Sequence, residues 1–164
     1  MTTPAVAPYA LPDTQLLAQC QSQAVLGSGP GGQHRNRTAS AVRLVHLASG
    51  IDARCEEHRE RRRNLVAATF RLRIRLALSV RGRSDRDWLS QLGQVPHSSR
   101  SPHYPQVVAC CLDALEASRG SLPEAAATLG LSSSRLARIL TADKEVHSAT
   151  NLLRAGHGCG PIHG

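Results

Sequence analysis

The chain has 164 residues, of which 41% are hydrophobic and only 2% aromatic, and its formal net charge is +8. This length fits one domain and a small second module, whose cores must be built from aliphatic side chains. No run of about 18 apolar residues is present, which excludes a membrane-spanning helix, and the five cysteines lack a Cys-x-x-Cys pair, which predicts free thiols in a reducing cytoplasm.

The first part of the chain predicts a small mixed sheet interrupted by a glycine-rich loop. Period-two apolar patterns and the turn Ala48-Ser49-Gly50 predict a β-hairpin after that loop. The predicted elements are, in order, a disordered segment 1–12, a helix 14–19 capped by Asp13, and strands at 20–26, 41–47 and 51–55.

Residues 56–80 fit two structures. The alternation of arginine with apolar residues over 70–76 taken alone predicts a strand. The segment is longer than an ordinary strand, contains no Gly or Pro, and has apolar residues at helical spacing. We therefore predict a long helix packed across the sheet, with an acidic start that suits the helix dipole and arginines that extend outward.

The last part of the chain predicts an all-α module behind a linker. Residues 84–102 are rich in Ser, Arg and Pro and are expected to form the linker, after which 103–156 predicts four helices. The second and third, separated by Gly130 and capped by Ser132, are similar to a helix-turn-helix. Residues 157–164 are expected to be a disordered tail, as in many glycine-rich termini.

Positive charge is concentrated before this module. Residues 27–83 contain 13 arginines and 4 acidic residues, whereas residues 101–164 contain 5 basic and 5 acidic residues. Such an asymmetry indicates a polyanionic partner for the first half of the chain, rather than a merely solvated basic face.

The glycine-rich loop carries the most specific signal. Residues 27–36 read Gly-Ser-Gly-Pro-Gly-Gly-Gln-His-Arg-Asn, and the run continues through Arg-Thr-Ala-Ser-Ala-Val-Arg-Leu to residue 44. This run resembles the signature of the GGQ domain of class I peptide chain release factors, and the likeness covers residues 14–80. The resemblance implies a 13–83 GGQ domain that acts inside the ribosome and needs no cofactor or metal.

In that family the loop promotes attack of water on the ester that joins the nascent peptide to transfer RNA. The resemblance implies ribosomal RNA, peptidyl-tRNA and the peptidyl-transferase centre of the large subunit as partners. It assigns the chemistry to Gly31, Gly32 and Gln33, and the freedom of the loop to Gly27 and Gly29. The residues expected to contact RNA phosphate are Arg35, Arg37, Arg43, Arg61, Arg62, Arg63, Arg71, Arg73 and Arg75.

Several alternatives are weaker. Gly27, Gly29 and Gly32, with Asp52 about 20 residues later, fit a dinucleotide-binding fingerprint, but a polar segment and a hairpin follow instead of an apolar helix. His34 is favoured as a packing or RNA-contacting residue over a general base. His157, Cys159 and His163 fall short of four metal ligands.

Release factors read stop codons through domains that precede the GGQ domain, and this sequence has only about 26 residues there, too few for such a domain. We therefore expect peptidyl-tRNA hydrolysis without codon recognition, in termination or in ribosome rescue. The rescue hydrolases of the family carry a long basic tail, which this neutral C-terminal region lacks. The alternative is a non-catalytic RNA- or DNA-binding protein targeted by its helix-turn-helix-like module, whose partner the sequence does not reveal.

Overall fold

The computed structural model describes residues 6–25, 40–80, 86–92 and 94–163. The chain divides into two compact units: the first is Pro8–Leu76, and the second combines Met1–Ala7 with Ala77–Gly164. None of the helices in the described ranges has both the length and the apolar character that a membrane span requires.

The first unit contains a three-stranded sheet. Strands β1 (Cys20–Val25), β2 (Ala41–His46) and β3 (Asp52–Cys55) pair in the order β1-β2-β3, and both pairings are antiparallel. Apolar and charged residues alternate along the strands, so the sheet has one buried and one exposed face. Val42, Leu44 and Ala53 are fully buried. Arg43 and Arg54, which pair across β2 and β3, are exposed. The predicted α+β class is confirmed. The sheet is antiparallel instead of mixed because no crossover connects parallel strands.

The N-terminal segment packs onto this unit. A short 3-10 helix (Pro8–Ala10) lies where the sequence predicts disorder, and its Tyr9 is buried. Helix α1 (Asp13–Ala18) follows, with Pro12 as the N-cap and no side-chain cap. Asp13 does not cap the helix, because its carboxylate accepts a hydrogen bond from Arg73 instead.

Residues 61–79 form one helix, α2 (Arg61–Ser79), so the helical prediction is correct and the strand pattern is misleading. The helix begins five residues later than predicted and has no acidic residue in its first turn. The physical cause is Asn64, whose side chain binds both the N–H and the carbonyl of His58. Those bonds use the backbone groups that a longer helix would need.

All the secondary-structure elements of the second unit within the described residues are helices. It contains α3 (Arg86–Gln91), within the predicted linker, then α4 (Tyr104–Ala117), α5 (Leu122–Thr128), α6 (Ser133–Thr141) and α7 (Lys144–Gly156). Helix α4 supplies most of the core, and Tyr104, fully buried, donates its hydroxyl to the Ile139 carbonyl of α6 at 2.9 Å. The all-α module predicted from the sequence is therefore found.

The ends of these helices follow local side-chain chemistry. Ser132 caps α6 by accepting from the Arg135 N–H at 3.2 Å, and Asp143 caps α7 through the N–H groups of Glu145 and Val146. Past α7, Gly158 adopts a positive φ and the Cys159 N–H returns to the Arg154 carbonyl. The segment after α7 then lies along the helix, since Ile162 is buried and bonded to Asn151, where the sequence predicts a disordered tail.

Candidate nucleic-acid interface

The glycine-rich segment joins two neighbouring strands. Val25 at the end of β1 pairs with Ala41 at the start of β2, so the chain leaves and re-enters the sheet at the same end. The residues predicted to act at this segment lie outside the described residues: Gly27, Gly29, Gly31, Gly32, Gln33, His34, Arg35 and Arg37. Ser40 is the first described residue after them.

Ser40 is held by Asn64, a residue to which sequence reasoning assigned no role. The Asn64 side chain is fully buried and donates to the carbonyls of Ser40 and His58, both at 2.8 Å. Its oxygen accepts from the His58 N–H at 2.9 Å and from the Cys55 thiol at 3.3 Å. The only sequence signal was an asparagine, a poor helix former, in an arginine-rich helix start.

Exposed arginines precede Asn64 in the sequence. Arg59, Arg61, Arg62 and Arg63, here called the α2 arginine cluster, precede or open helix α2, and all four are exposed. Arg63 pairs with Glu60 at 3.3 Å, with both side chains about two-thirds exposed, so this pair contributes little. Within the described residues neither Arg61 nor Arg62 has a hydrogen-bond or ion-pair partner.

The position of the cluster is unfavourable for the helix itself. The N-terminal end of a helix carries partial positive charge, and cations placed there destabilise it. Packing therefore gives no reason for three successive arginines in this turn. A polyanion such as an RNA backbone would neutralise both the side chains and the exposed N–H groups of the helix start.

Two of the other predicted RNA contacts face β3 instead. Arg71 donates to the Arg54 carbonyl at 2.9 Å, and Arg75 donates to the Asp52 carbonyl at 2.8 Å. Four residues of helix rise about 6 Å and two residues of strand about 6.6 Å, so the spacings match. These arginines bind backbone acceptors of the edge strand and cover that edge.

Arg73 lies on the opposite flank of α2, since two residues rotate a helix by about 200°. Its guanidinium donates to the Tyr9 carbonyl at 2.8 Å and to Asp13 at 2.7 Å, and only 11% of its side chain is exposed. The arginine alternation that resembles a strand pattern thus reflects two sides of one helix. The outward direction predicted for Arg71, Arg73 and Arg75 is not what the structure shows.

Arg43 lies on the exposed face of the sheet. Its Nε donates to Asp52 at 2.7 Å, and both side chains stay partly exposed. The neighbouring Arg54 pairs with Glu56 at 2.8 Å. Surface pairs of this kind are weak, so the exposed face of the sheet retains cationic groups that a phosphate can approach.

The helix-turn-helix-like pair in the second unit offers fewer cations. Arg135, on the presumed recognition helix α6, donates to the Val95 carbonyl at 2.6 Å and is partly buried. Arg138 is the exposed arginine of that helix. Across the described ranges there is also no group of three or more His, Cys, Asp and Glu side chains suited to a metal ion.

These features define a class of domain: a small antiparallel sheet with a glycine-rich connection between its first two strands, and a long helix that begins with exposed arginines. The family model described as RF-1 domain matches residues 17–100, just over half of the chain. The chain therefore belongs to the RF-1 domain family. Its first unit is a release-factor-like GGQ domain, and the resemblance stated from the sequence is confirmed.

Curated relatives give the same result over shorter stretches. Peptide chain release factor 1 of Methylibium petroleiphilum is 38% identical over 85 residues, which is 48% of this chain and 24% of the relative. The mitochondrial peptide chain release factor 1-like protein of Rattus norvegicus is 51% identical over 49 residues, 30% of this chain and 13% of the relative. Peptide chain release factor 2 of Variovorax paradoxus is 44% identical over 59 residues, covering 36% and 16%.

The chain thus spans about a quarter or less of the length of these relatives. No solved structure matches it.

Proposed function

We propose that this protein promotes hydrolysis of the peptidyl-tRNA ester on the ribosome without reading a stop codon. Membership of the RF-1 domain family over residues 17–100 is the observation that carries this proposal. The α2 arginine cluster supports it, because an exposed cationic surface next to Ser40 suits a domain that works among RNA phosphates.

The proposed chemistry relies on main-chain groups. Ester hydrolysis passes through a tetrahedral oxyanion, which preorganised N–H donors stabilise. The Gln33 N–H would supply such a donor, while its side-chain amide would favour water over bulkier nucleophiles. Gly31 and Gly32 would allow backbone dihedrals that a Cβ forbids.

The arginines proposed to contact RNA fall into two groups. Arg61, Arg62 and Arg63 are exposed, and with Arg43 and the two arginines at 35 and 37 they would hold ribosomal RNA phosphate. Arg71, Arg73 and Arg75 bind carbonyls of their own unit. For these three we assign a structural role before any RNA contact.

Codon independence is proposed from the helical unit that follows the GGQ domain. Its described elements are helices, and residues 101–164 have equal numbers of basic and acidic residues, which favours a protein partner over messenger RNA. We propose that the protein acts in the cytoplasm on stalled ribosomes and that the helical unit recruits it by protein contact. DNA binding by this unit is not favoured, because Arg135 binds the Val95 carbonyl.

The test compares two single substitutions. Gly32→Ala should lower the rate of peptide release more than Gln33→Ala, because the alanine methyl displaces the amide whereas a side-chain truncation leaves it in place. Loss of one oxyanion donor costs roughly 100- to 1,000-fold in rate. Release is measured on ribosomes stalled on truncated messenger, with a Gly31/Gly32 double alanine variant as the inactive control.

Full activity of Gly32→Ala would exclude the proposed chemistry. A requirement for a stop codon in the decoding site, tested with matched messengers that do or do not contain one, would exclude codon independence while leaving the chemistry in place.

A further inference from the structure

Among the described residues, Asn64 is a buried polar side chain whose hydrogen-bonding groups are all engaged. An asparagine side chain has two N–H donors and an oxygen that accepts two hydrogen bonds. Here the two donors bind the carbonyls of Ser40 and His58, and the oxygen accepts from His58 and Cys55. Burial of such a group is favourable only when every partner is present.

These partners come from three separate stretches of chain. Cys55 ends β3, His58 belongs to the connection before α2, and Ser40 precedes β2 at a sequence distance of 24 residues from Asn64. One side chain therefore fixes the start of β2, the end of β3 and the first turn of α2 relative to one another. The α2 arginine cluster lies on that same turn and on the connection before it.

We infer that Asn64 is a positioning residue, which fixes the carbonyl of Ser40, the residue before β2, against the arginine-bearing start of α2. The inference rests on the proposed function. In that function the arginines bind RNA, and the distance between them and Ser40 sets where the reacting amide is delivered. Misplacement of a reacting group by about 1 Å can cost roughly 100-fold in rate.

Asparagine meets these demands better than its nearest relatives. Aspartate has the same shape and keeps both acceptor bonds, but its carboxylate would face the carbonyls of Ser40 and His58 without a donor. Glutamine is longer by one methylene and does not fit an anchor that is completely buried. Asn64→Asp is therefore the sharpest probe of the Ser40 bond, and Asn64→Ser is a second variant that avoids the added charge.

The experiment compares these variants with a change that only destabilises the same unit. Leu72→Ala is the matched control, because Leu72 lies on α2, is fully buried and touches none of the bonds described above. Each protein is titrated against stalled ribosomes, and the half-saturating concentration and the release rate at saturation are measured at a temperature where circular dichroism shows it folded.

We expect both Asn64 variants to release peptide about 10- to 100-fold more slowly at saturation, with half-saturation within about twofold of wild type because the arginines are intact. Leu72→Ala should keep the wild-type rate at saturation. If an Asn64 variant that is folded has the same maximal rate as Leu72→Ala, the positioning role is overturned. Should Asn64→Asp fail to fold, Asn64→Ser decides by the same criterion.

A measurement on the free protein separates this inference from the proposed function. In nuclear magnetic resonance spectra the two side-chain amide protons of Asn64 should exchange with solvent at least tenfold more slowly than those of the partly exposed Asn151. Equal exchange rates would overturn the anchor whatever the ribosome assay gives. If wild type releases no peptide, the proposed function fails, and slow exchange at Asn64 would show that the anchor itself exists.

Discussion

His46, at the end of β2, is buried with both ring nitrogens engaged. Nε2 lies 3.2 Å from Gln19 Oε1, which can only accept, so this nitrogen carries the hydrogen. Nδ1 therefore accepts from the Ser49 hydroxyl at 2.7 Å. Burial lowers the pKa of His46 below its ordinary value of 6.5. The neutral ring is the form that this site stabilises.

This residue predicts a loss of stability in mild acid. As the pH falls below about 6.5, the unfolded chain takes up a proton at His46 while the folded protein does not. The unfolded state then binds more protons, so the free energy of unfolding falls with pH until the lower folded-state pKa is passed. The slope from this one group is at most about 1.4 kcal/mol per pH unit.

Denaturant unfolding of wild type and His46→Gln at pH 7.5, 6.5 and 5.5 checks this. We expect the free energy of unfolding of the variant to depend less steeply on pH than that of wild type. Parallel curves for the two proteins would show that His46 does not cause the acid sensitivity.

Residues such as His46 and Asn64 were invisible in the sequence because their roles depend on distant partners. Gln19 is 27 residues from His46, and Ser40 is 24 residues from Asn64. The side of the sheet on which Arg43 and Arg54 lie follows from neighbours along one strand, because successive side chains point to opposite faces. A hydrogen bond between strands and helix ends has no such local pattern.

At the scale of elements, the arginines of α2 differ in role: some stabilise the fold, and others are proposed to bind RNA. We predict that Arg73→Ala lowers the free energy of unfolding by about 1–2 kcal/mol, because it removes charged hydrogen bonds to Tyr9 and Asp13. The estimate is moderate because Asp13 is 71% exposed. Arg62→Ala should leave the free energy of unfolding unchanged or raise it by up to about 0.5 kcal/mol, because the substitution removes a positive charge from the N-terminal end of the helix.

Urea unfolding of both variants tests this division, and Asp13→Asn separates the ion pair from the bond to the Tyr9 carbonyl. Equal destabilisation by Arg73→Ala and Arg62→Ala would contradict it.

Two glycines of the helical unit allow a second test: Gly130 lies in the turn between α5 and α6, and Gly156 is the last residue of α7. Gly130 has a φ of +66°, Gly156 at the end of α7 has an ordinary φ, and a Cβ added at either would meet no atom within 4 Å. Backbone conformation is thus the only difference. We predict that Gly130→Ala costs about 1–2 kcal/mol and that Gly156→Ala gains about 0.5 kcal/mol.

Thermal unfolding followed by helical circular dichroism gives the two shifts, which should have opposite signs. A loss of stability in Gly156→Ala as large as that in Gly130→Ala would mean that lost space, not backbone geometry, governs both positions.

Helix existence in the second unit was predictable because caps and glycines are local signals, and Ser132 and Gly130 act as the sequence predicts. The end of the module predicted at residue 156 agrees with helix α7, which ends at Gly156, and the left-handed Gly158 follows two residues later. The start of α2 was misplaced because a tertiary contact of Asn64 overrides the favourable acidic residues before it.

At the scale of the whole molecule, the charge asymmetry gives the most general prediction. All the excess positive charge of the chain falls in residues 27–83, and two exposed arginines of the α2 arginine cluster, Arg61 and Arg62, have no hydrogen-bond or ion-pair partner among the described residues. Binding to ribosomes should therefore weaken with salt, with a slope set by the number of phosphates that the protein neutralises.

Net charge and local contact can be told apart with two charge reversals. Arg62→Glu and Arg138→Glu change the net charge of the protein equally, and both side chains are exposed on helices. If the cluster binds phosphate, Arg62→Glu should weaken ribosome binding at least about tenfold and reduce the slope of log affinity against log salt by about 1. Arg138→Glu should change the affinity and the slope by no more than the general effect of net charge, because its helix belongs to the neutral unit.

Sedimentation with ribosomes at several salt concentrations measures both the affinity and the slope. Equal losses for the two variants would reduce the interaction to unspecific attraction, and a loss confined to Arg138→Glu would move the binding surface to the helical unit.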